Sequence, residues 1–451
     1  MDSHILTPNR FFDKKMLIAL VLPLVLEQAV NLTVGLADSL MVSSVGEAAV
    51  SGVSLIDNIY ILIINIFSAL STGGAVIAGQ YLGRQEREDA SRASSELIRL
   101  VFAISVVFMV LLYACKLFIL NVVFGKIEPD VYANAETYLL IVNLSVPFMG
   151  LYNACAAVFR TMGNSKICLK ISVVMGLVNL LGNAIGVYVL HAGIAGVAVP
   201  TLISRAFGGI YMYLRLRRTQ GEIEIDDRLV KKFDGALVRR ILHIGVPNGL
   251  ENGMFQLGKI MILSIVAVFG TSAITANAVG TTLANIQVIP GLAISLAITP
   301  VISRCIGAAD YEQAKYYNKK LLLISYAAII GTALVLLALT PVLLRLYNLS
   351  AETSEQTMKI VIYHTIALSV IWPIAFNLPA TFRAAGDVTF TMIISIISMW
   401  IFRLGVGYIL AIPLNMGVIG VWFAMFADWI FRAAIFTGRY FSHRWELFKT
   451  I

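Results

Sequence analysis

Charge is scarce in this chain. Asp, Glu, Lys and Arg make up 13% of its 451 residues while hydrophobic residues make up 59%, and an ordinary soluble domain carries about 25% charged residues. So little charge excludes a water-facing globule and points to an integral membrane protein. Cysteine is scarcer still: Cys115, Cys155, Cys168 and Cys305 are scattered through or beside apolar runs, with no CxxC and no histidine nearby. That excludes a disulfide framework and a Cys/His metal centre, and leaves them as small apolar fillers. A GxxxxGK[ST] loop is absent, so no ATP site powers the chain from within. The zinc spacing, paired-Asp motif and activated serine of intramembrane hydrolases are absent too, and no enzyme is expected.

Long apolar runs are what the chain has in plenty. Twelve can be marked, at 16–42, 53–79, 97–119, 133–158, 168–190, 193–214, 241–268, 275–303, 320–346, 358–382, 388–411 and 417–438. Each is close to or above the ~20 residues that cross a ~30 Å hydrocarbon layer as a helix. None shows the ~10-residue alternation of a membrane β-strand. The first run is too long for a signal-peptide core and no small-residue cleavage site follows it, so no cleavable leader is expected. The joints at His191-Ala192 and Pro413–Met416 predict tight helical hairpins.

Basic residues orient the spans. Of 34 Lys and Arg, four (Lys116, Lys126, Arg345 and Lys359) fall on one side, and four (Arg205, Lys259, Arg403 and Arg432) sit within apolar runs. The other 26 fall with the two termini on the opposite side, which predicts both termini in the cytoplasm. The net charge of +8 is then a topology signal, and no nucleic-acid partner is expected. The long polar stretch 215–240, from Arg215 through Glu222, Asp226 and Lys231 to Arg240, reads as a cytoplasmic linker between residues 1–214 and 241–451.

The two parts repeat. Pro23 and Pro247, Glu27 and Glu251, Gly46 and Gly270, Gly83 and Gly307, Glu88 and Glu312, Asn153 and Asn377, Gly193 and Gly417, and Gly196 and Gly420 are all 224 residues apart. Phe159-Arg160 and Phe382-Arg383 keep the correspondence with a shift of one, and Gly163 and Gly386 follow. Six spans per half make the repeat parallel, about an axis along the membrane normal, with a central cleft between two bundles suited to alternating access.

The run Met16–Val42 carries Glu27, Asn31 and Asp38 within about 40° of one another on one helical face. A carboxylate at membrane depth costs a few kcal/mol unless it lines a cavity or finds a partner. The stripe is therefore a polar pathway or a buried patch that locks helices together. Asn179 and Asn183, four apart and flanked by Gly182 and Gly186, can meet Asp38 on a closely packed helix, and Thr201 can add a hydroxyl. Such hard oxygen ligands suit Na⁺, and Asp38 alone could carry a proton; a plain interhelical hydrogen-bond set is the alternative. In the second half Glu251 and Lys259 are eight residues apart, about 80° around a helix and able to pair. Asp428 and Arg432 at i and i+4 read as a structural pair near the cytoplasmic end, and Arg403 as a neutraliser of a carboxylate or a binder of an anion. His243 and His364 read as packing residues, and Met254, Phe255, Met261, Phe148, Met149 and Tyr152 as candidates for an adaptable cleft lining.

These residues resemble the multidrug and toxic compound extrusion (MATE) transporters over essentially the whole chain. The likeness rests on Pro23, Asp38 and Met41-Val42-Ser43-Ser44-Val45-Gly46, on Gly79-Gln80-Tyr81-Leu82-Gly83, on Phe159-Arg160-Thr161-Met162-Gly163-Asn164, and on Phe382-Arg383-Ala384-Ala385-Gly386-Asp387. The resemblance implies an all-α polytopic membrane protein with twelve transmembrane helices, arranged as two V-shaped six-helix bundles around a central cleft. It implies export of organic cations or other amphipathic compounds from a prokaryotic cytoplasmic membrane against inward H⁺ or Na⁺, by a monomer with no cofactor beyond that ion. In one branch of the family the first-lobe cation site matches Asp38, Asn179, Asn183 and Thr201, but with a second carboxylate where Asn183 stands. One charge instead of two implies weaker Na⁺ binding and favours a proton cycle. In another branch the site lies around a Glu of helix 7, whose position matches Phe255; Glu251, one turn earlier, is a candidate on its own chemistry. The competing reading is a flippase for an anionic or lipid-linked substrate, motivated by Arg205, Lys259, Arg403 and Arg432.

Overall fold

The computed structural model describes residues 10–125, 127–225, 233–347, 349–448 and 451; Lys126, Asp226 and Lys231 lie outside them. Twelve long helices follow one another: α1 (Lys14–Ser43), α2 (Glu47–Gly83), α3 (Arg87–Ala114), α4 (Pro129–Thr161), α5 (Ser165–Val189), α6 (Ala195–Arg217), α7 (Gly235–Ala267), α8 (Gly270–Gly307), α9 (Tyr311–Leu346), α10 (Ala351–Ala385), α11 (Val388–Ala411) and α12 (Gly417–Phe441). All but α7 are apolar enough by composition to cross a membrane. The exception carries Asn248, Glu251, Asn252, Gln256 and Lys259 along its length, and most of these face a cavity rather than lipid. Polar residues start several helices in the expected way: Asp13 accepts from Met16 N, Asp234 from Ala236 N and Leu237 N, and Ser350 from Thr353 N, satisfying amides that have no partner within the helix.

The repeat is written in the backbone as well as in the sequence. Left-handed or otherwise positive φ occurs at Gly46 and Gly270, Gln85 and Ala309, Gly163 and Gly386, His191 and Asn415, and Gly193 and Gly417. Each pair lies at the 223- or 224-residue offset, so corresponding loops turn in the same way. The two short hairpins, α5–α6 and α11–α12, use such residues to reverse the chain.

Between the lobes, α2 packs on α7, α1 packs on α8, and α2 crosses α8. The first two contacts are equivalents under the repeat, and the third lies on its axis. The crossing is very close. A Cβ on Gly83 would stand 2.1 Å from the Arg304 carbonyl oxygen, and one on Gly307 would stand 1.9 Å from that of Gln80. Only glycine at both mirror positions lets the backbones touch.

Cross-lobe hydrogen bonds gather at this same end, which carries both termini. Gln80 donates to Ala384 O at 2.9 Å, Arg240 to Tyr81 at 2.6 Å and Arg92 to Asp234 at 3.2 Å. Phe12 exchanges two hydrogen bonds with Tyr317 at 2.8 and 2.9 Å. The connection after α6 joins the seal, with buried Ile223 and an ion pair from Glu222 to Arg304.

Candidate functional site

A cavity of about 1080 Å³ lies between the lobes. Along α8 it is lined from Thr299, above the seal, to Ile274, a span of about 37 Å at 1.5 Å per residue. It therefore runs from the middle of the molecule toward the end opposite the termini. The first lobe contributes Glu27, Gln28 and Asn31 from α1, residues between Ile64 and Thr72 of α2, and Tyr152, Asn153 and Arg160 of α4. Most of the wall comes from the second lobe.

The stripe on α1 finds its partners within its own lobe. Glu27 is 1% exposed and pairs with Arg160 at 2.8 Å, with the Tyr152 hydroxyl 3.4 Å away. Asn31 accepts from Ser172 at 2.7 Å. Asp38 accepts a hydrogen bond from Asn183. From there a chain of polar groups continues: Asn183 reaches Asn179 at 3.5 Å, and Asn179 donates to Thr201 at 3.0 Å. The sequence quartet Asp38, Asn179, Asn183 and Thr201 is thus brought together in one network. The glycines beside it are the reason: a Cβ on Gly186 would lie 2.3 Å from Gly196 O, and one on Gly182 would lie 2.5 Å from Pro200. A π-helical turn, Ile185–Val189, follows directly. The Asn183 Oδ1 atom is buried without a partner, and with the Asp38 carboxylate and Asn179 Oδ1 it supplies the hard oxygens that a small cation needs.

Sequence reasoning missed the surroundings of this network. Asp57 of α2 accepts from Tyr138 at 3.1 Å, and Arg205 of α6 lies over the Tyr60 ring and donates to Ser145 at 3.2 Å. Asp57 and Arg205 both stand close enough to act on Asp38 electrostatically.

The second lobe repeats the Glu–Arg theme. Glu251 pairs with Arg383 at 3.5 Å, as Glu27 does with Arg160. The sequence pattern places both arginines with the terminus-side charges; they instead lie within α4 and α10 and line the cavity. Glu251 also accepts from Ser395 at 2.7 Å, and the pairing with Lys259 that the helical spacing left open does not form. Ser395 passes the network on, because Arg432 donates to its hydroxyl at 3.1 Å and to its carbonyl at 3.0 Å. Arg432 binds Asp428 at 2.9 Å, and Arg403 stands 3.7 Å from the same carboxylate. Asp428 and Arg432 sit mid-helix, with Arg432 in the cavity wall, and not at the end that carries the termini, where the sequence reading places them. Ser398 also donates to Asp428 and opens the π-helical stretch Ser398–Val406 that carries Arg403.

Of the proposed aromatic and Met lining, Phe255 and Tyr152 face the cavity, while Met254, Met261, Phe148 and Met149 do not line it. Trp372, Phe376, Trp422 and Trp429 do. Their signal was weak because aromatic residues in an apolar chain mostly pack against helices. His364 is buried, bonded to Gln287 at 2.6 Å and edge-on to Trp422 and Trp429, whereas His243 is exposed.

A family model described as MatE matches this chain twice, over residues 23–185 and 247–409, segments that start 224 residues apart. An uncharacterized transporter, YisQ of Bacillus subtilis, is 26% identical over 95% of this chain and 94% of its own length. A probable multidrug resistance protein NorM of Thermotoga maritima is 24% identical over 96% and 93%. Among solved structures, the outward-facing conformation of a multidrug resistance MATE family transporter of the MOP superfamily superposes with a TM-score of 0.89 at 18% identity, covering 96% of both chains.

Proposed function

The chain belongs to the MatE family, and from that premise we propose that it is a secondary active exporter of amphipathic small molecules, driven by inward H⁺ or Na⁺ bound at Asp38. The observation that carries this reading is the cavity between two repeat-related lobes, sealed at one end by the glycine crossing of α2 and α8. Such a cavity can be exposed to either side by rocking the lobes about that axis. The basic bias of the terminus-bearing end argues for its cytoplasmic placement, which makes this conformation outward-open. The relatives named for multidrug resistance support drug-like cargo. Residues 1–214 and 241–451 act as the two moving bodies in this proposal.

Asp38 lies beside the cavity and not in its wall, inside a network that spans α1, α5 and α6. A proton or Na⁺ arriving there neutralises the one carboxylate and changes how these helices hold one another. That coupling separates ion from cargo in space and lets each bias the same lobe movement.

Efflux from proteoliposomes tests the proposal. Wild type should move a fluorescent amphipath under a pH or Na⁺ gradient, and Asp38→Asn should lose at least 90% of the gradient-driven rate. Unchanged transport after both gradients are collapsed overturns the secondary-active reading. Full activity in Asp38→Asn moves the coupling site to the second lobe.

A further inference from the structure

Phe255 lies at the centre of a ring of cations. Lys259 Nζ stands 5.2 Å from its ring centroid, and the guanidinium carbons of Arg403 and Arg432 stand 5.2 and 5.4 Å away. Among the described residues only the Asp428 carboxylate answers these charges, through Arg432 and Arg403. Lys259 has no carboxylate partner among the described residues and is exposed to the cavity. Glu251 is held by Arg383 and Ser395, and Glu27 by Arg160. Among the described residues, the cavity wall and its immediate partners therefore hold five cations (Arg160, Arg383, Lys259, Arg403 and Arg432) against three carboxylates (Glu27, Glu251 and Asp428).

The surplus faces a cavity enclosed by apolar helices. A cation at membrane depth is costly unless water or an anion meets it, and cation–π contact with one phenyl ring offsets only part of that cost. A second feature points the same way. Trp429 lines the cavity, is 3% exposed, and its indole Nε1 has no acceptor; this donor-only group suits an anion's oxygen. Trp372, Phe376 and Trp422 complete an aromatic wall beside these donors.

We propose that the second-lobe wall of the cavity, built by Lys259, Arg403, Arg432 and Trp429 around Phe255, binds an acidic group. The cargo is then an amphipath with a carboxylate, sulfonate or phosphate on an aromatic or apolar body, not a simple organic cation. This rests on the export reading above and narrows its substrate class.

Dansyl-glycine and its neutral amide share one aromatic body and differ by a single anionic group. Binding of each to the purified full chain, followed by dansyl fluorescence, should favour the acid by about tenfold. Lys259→Gln should bring that ratio close to one and Lys259→Arg should keep it, while Lys319→Gln at the exposed surface should leave it unchanged. Retained thermal stability of the Lys259 variants shows that a loss is not misfolding, and none is expected because Lys259 holds no ion pair. Equal wild-type affinity for acid and amide overturns the inference, as does an undiminished ratio in Lys259→Gln. Gradient-driven efflux of both probes and of ethidium, measured in parallel, keeps the two readings apart. Transport without acid preference defeats only this inference, and acid preference without gradient-driven movement of any probe defeats the export reading instead.

Discussion

Asn183 shows how much one atom can decide. Its amide nitrogen donates to Asp38 and its Oδ1 lies buried without a partner. Asn183→Asp would keep the shape and add a second negative charge facing the first. Two carboxylates so close resist joint ionisation unless a cation bridges them. The variant should therefore show Na⁺-stimulated transport, with half-saturation at least tenfold lower in Na⁺ than wild type; a Na⁺ titration of efflux at fixed pH is the check. Arg160 offers a test of stability in place of coupling. Removing it leaves Glu27, 1% exposed, as an uncompensated buried charge, and breaking such a pair costs about 3–5 kcal/mol. Arg160→Ala should lower the melting temperature in detergent clearly, and Glu27→Gln combined with Arg160→Met should recover most of the loss. At this scale the sequence was informative where partners sit on one helical face, as with Asn179 and Asn183. It was silent on Asp57 and Tyr138, which meet from two helices with no spacing or repeat to link them. The Glu27–Arg160 and Glu251–Arg383 pairs were legible in principle, since both members of both pairs recur at the repeat offset, but a charge count read the arginines as loop residues.

Among the elements, α2 and α8 hold the molecule closed at one end. Their contact depends on backbone touching backbone at Gly83 and Gly307, where any side chain must force the helices apart. Gly307→Leu should weaken the seal without disturbing either lobe's interior. With Cys115, the exposed native cysteine, replaced by Ser, a Thr299→Cys reporter sits on the cavity floor just above the seal. A membrane-impermeant maleimide offered from the terminus side should leave that reporter nearly untouched in the wild-type background and label it several-fold faster with Gly307→Leu. Helix existence was plain from hydropathy, yet the helices outrun their apolar runs: α2 spans Glu47–Gly83 around the run 53–79. Lipid fixes the length of an apolar run, whereas capping and interlobe contacts fix where a helix stops. The π-helical stretches after Asn183 and from Ser398 left no mark in the periodicity, because a run that is apolar nearly all round has little polar contrast from which a rotated face could be read.

For the whole molecule, the repeat gives symmetry and the side chains break it. The backbones of the two halves turn at equivalent residues, and each half carries one Glu–Arg pair at the cavity. Beyond that the lobes diverge. The first lobe holds Asp38 in a polar network set back from the cavity, and the second turns a cationic and aromatic wall toward it. In the proposed reading ion and cargo fall to different bodies, so that each influences the other through how the lobes sit together. This division makes a prediction about sidedness. With the terminus-bearing seal facing the cytoplasm, Asn277→Cys, in the cavity wall toward the far end of α8, should react with an impermeant maleimide added outside intact cells. A tight cargo should slow that reaction several-fold by filling the cavity, and Asp38→Asn should alter the rate without touching the reporter, because the populations of the two lobe arrangements would shift. Reaction of Asn277→Cys from the cytoplasmic side alone would invert the orientation, and with it the direction of transport.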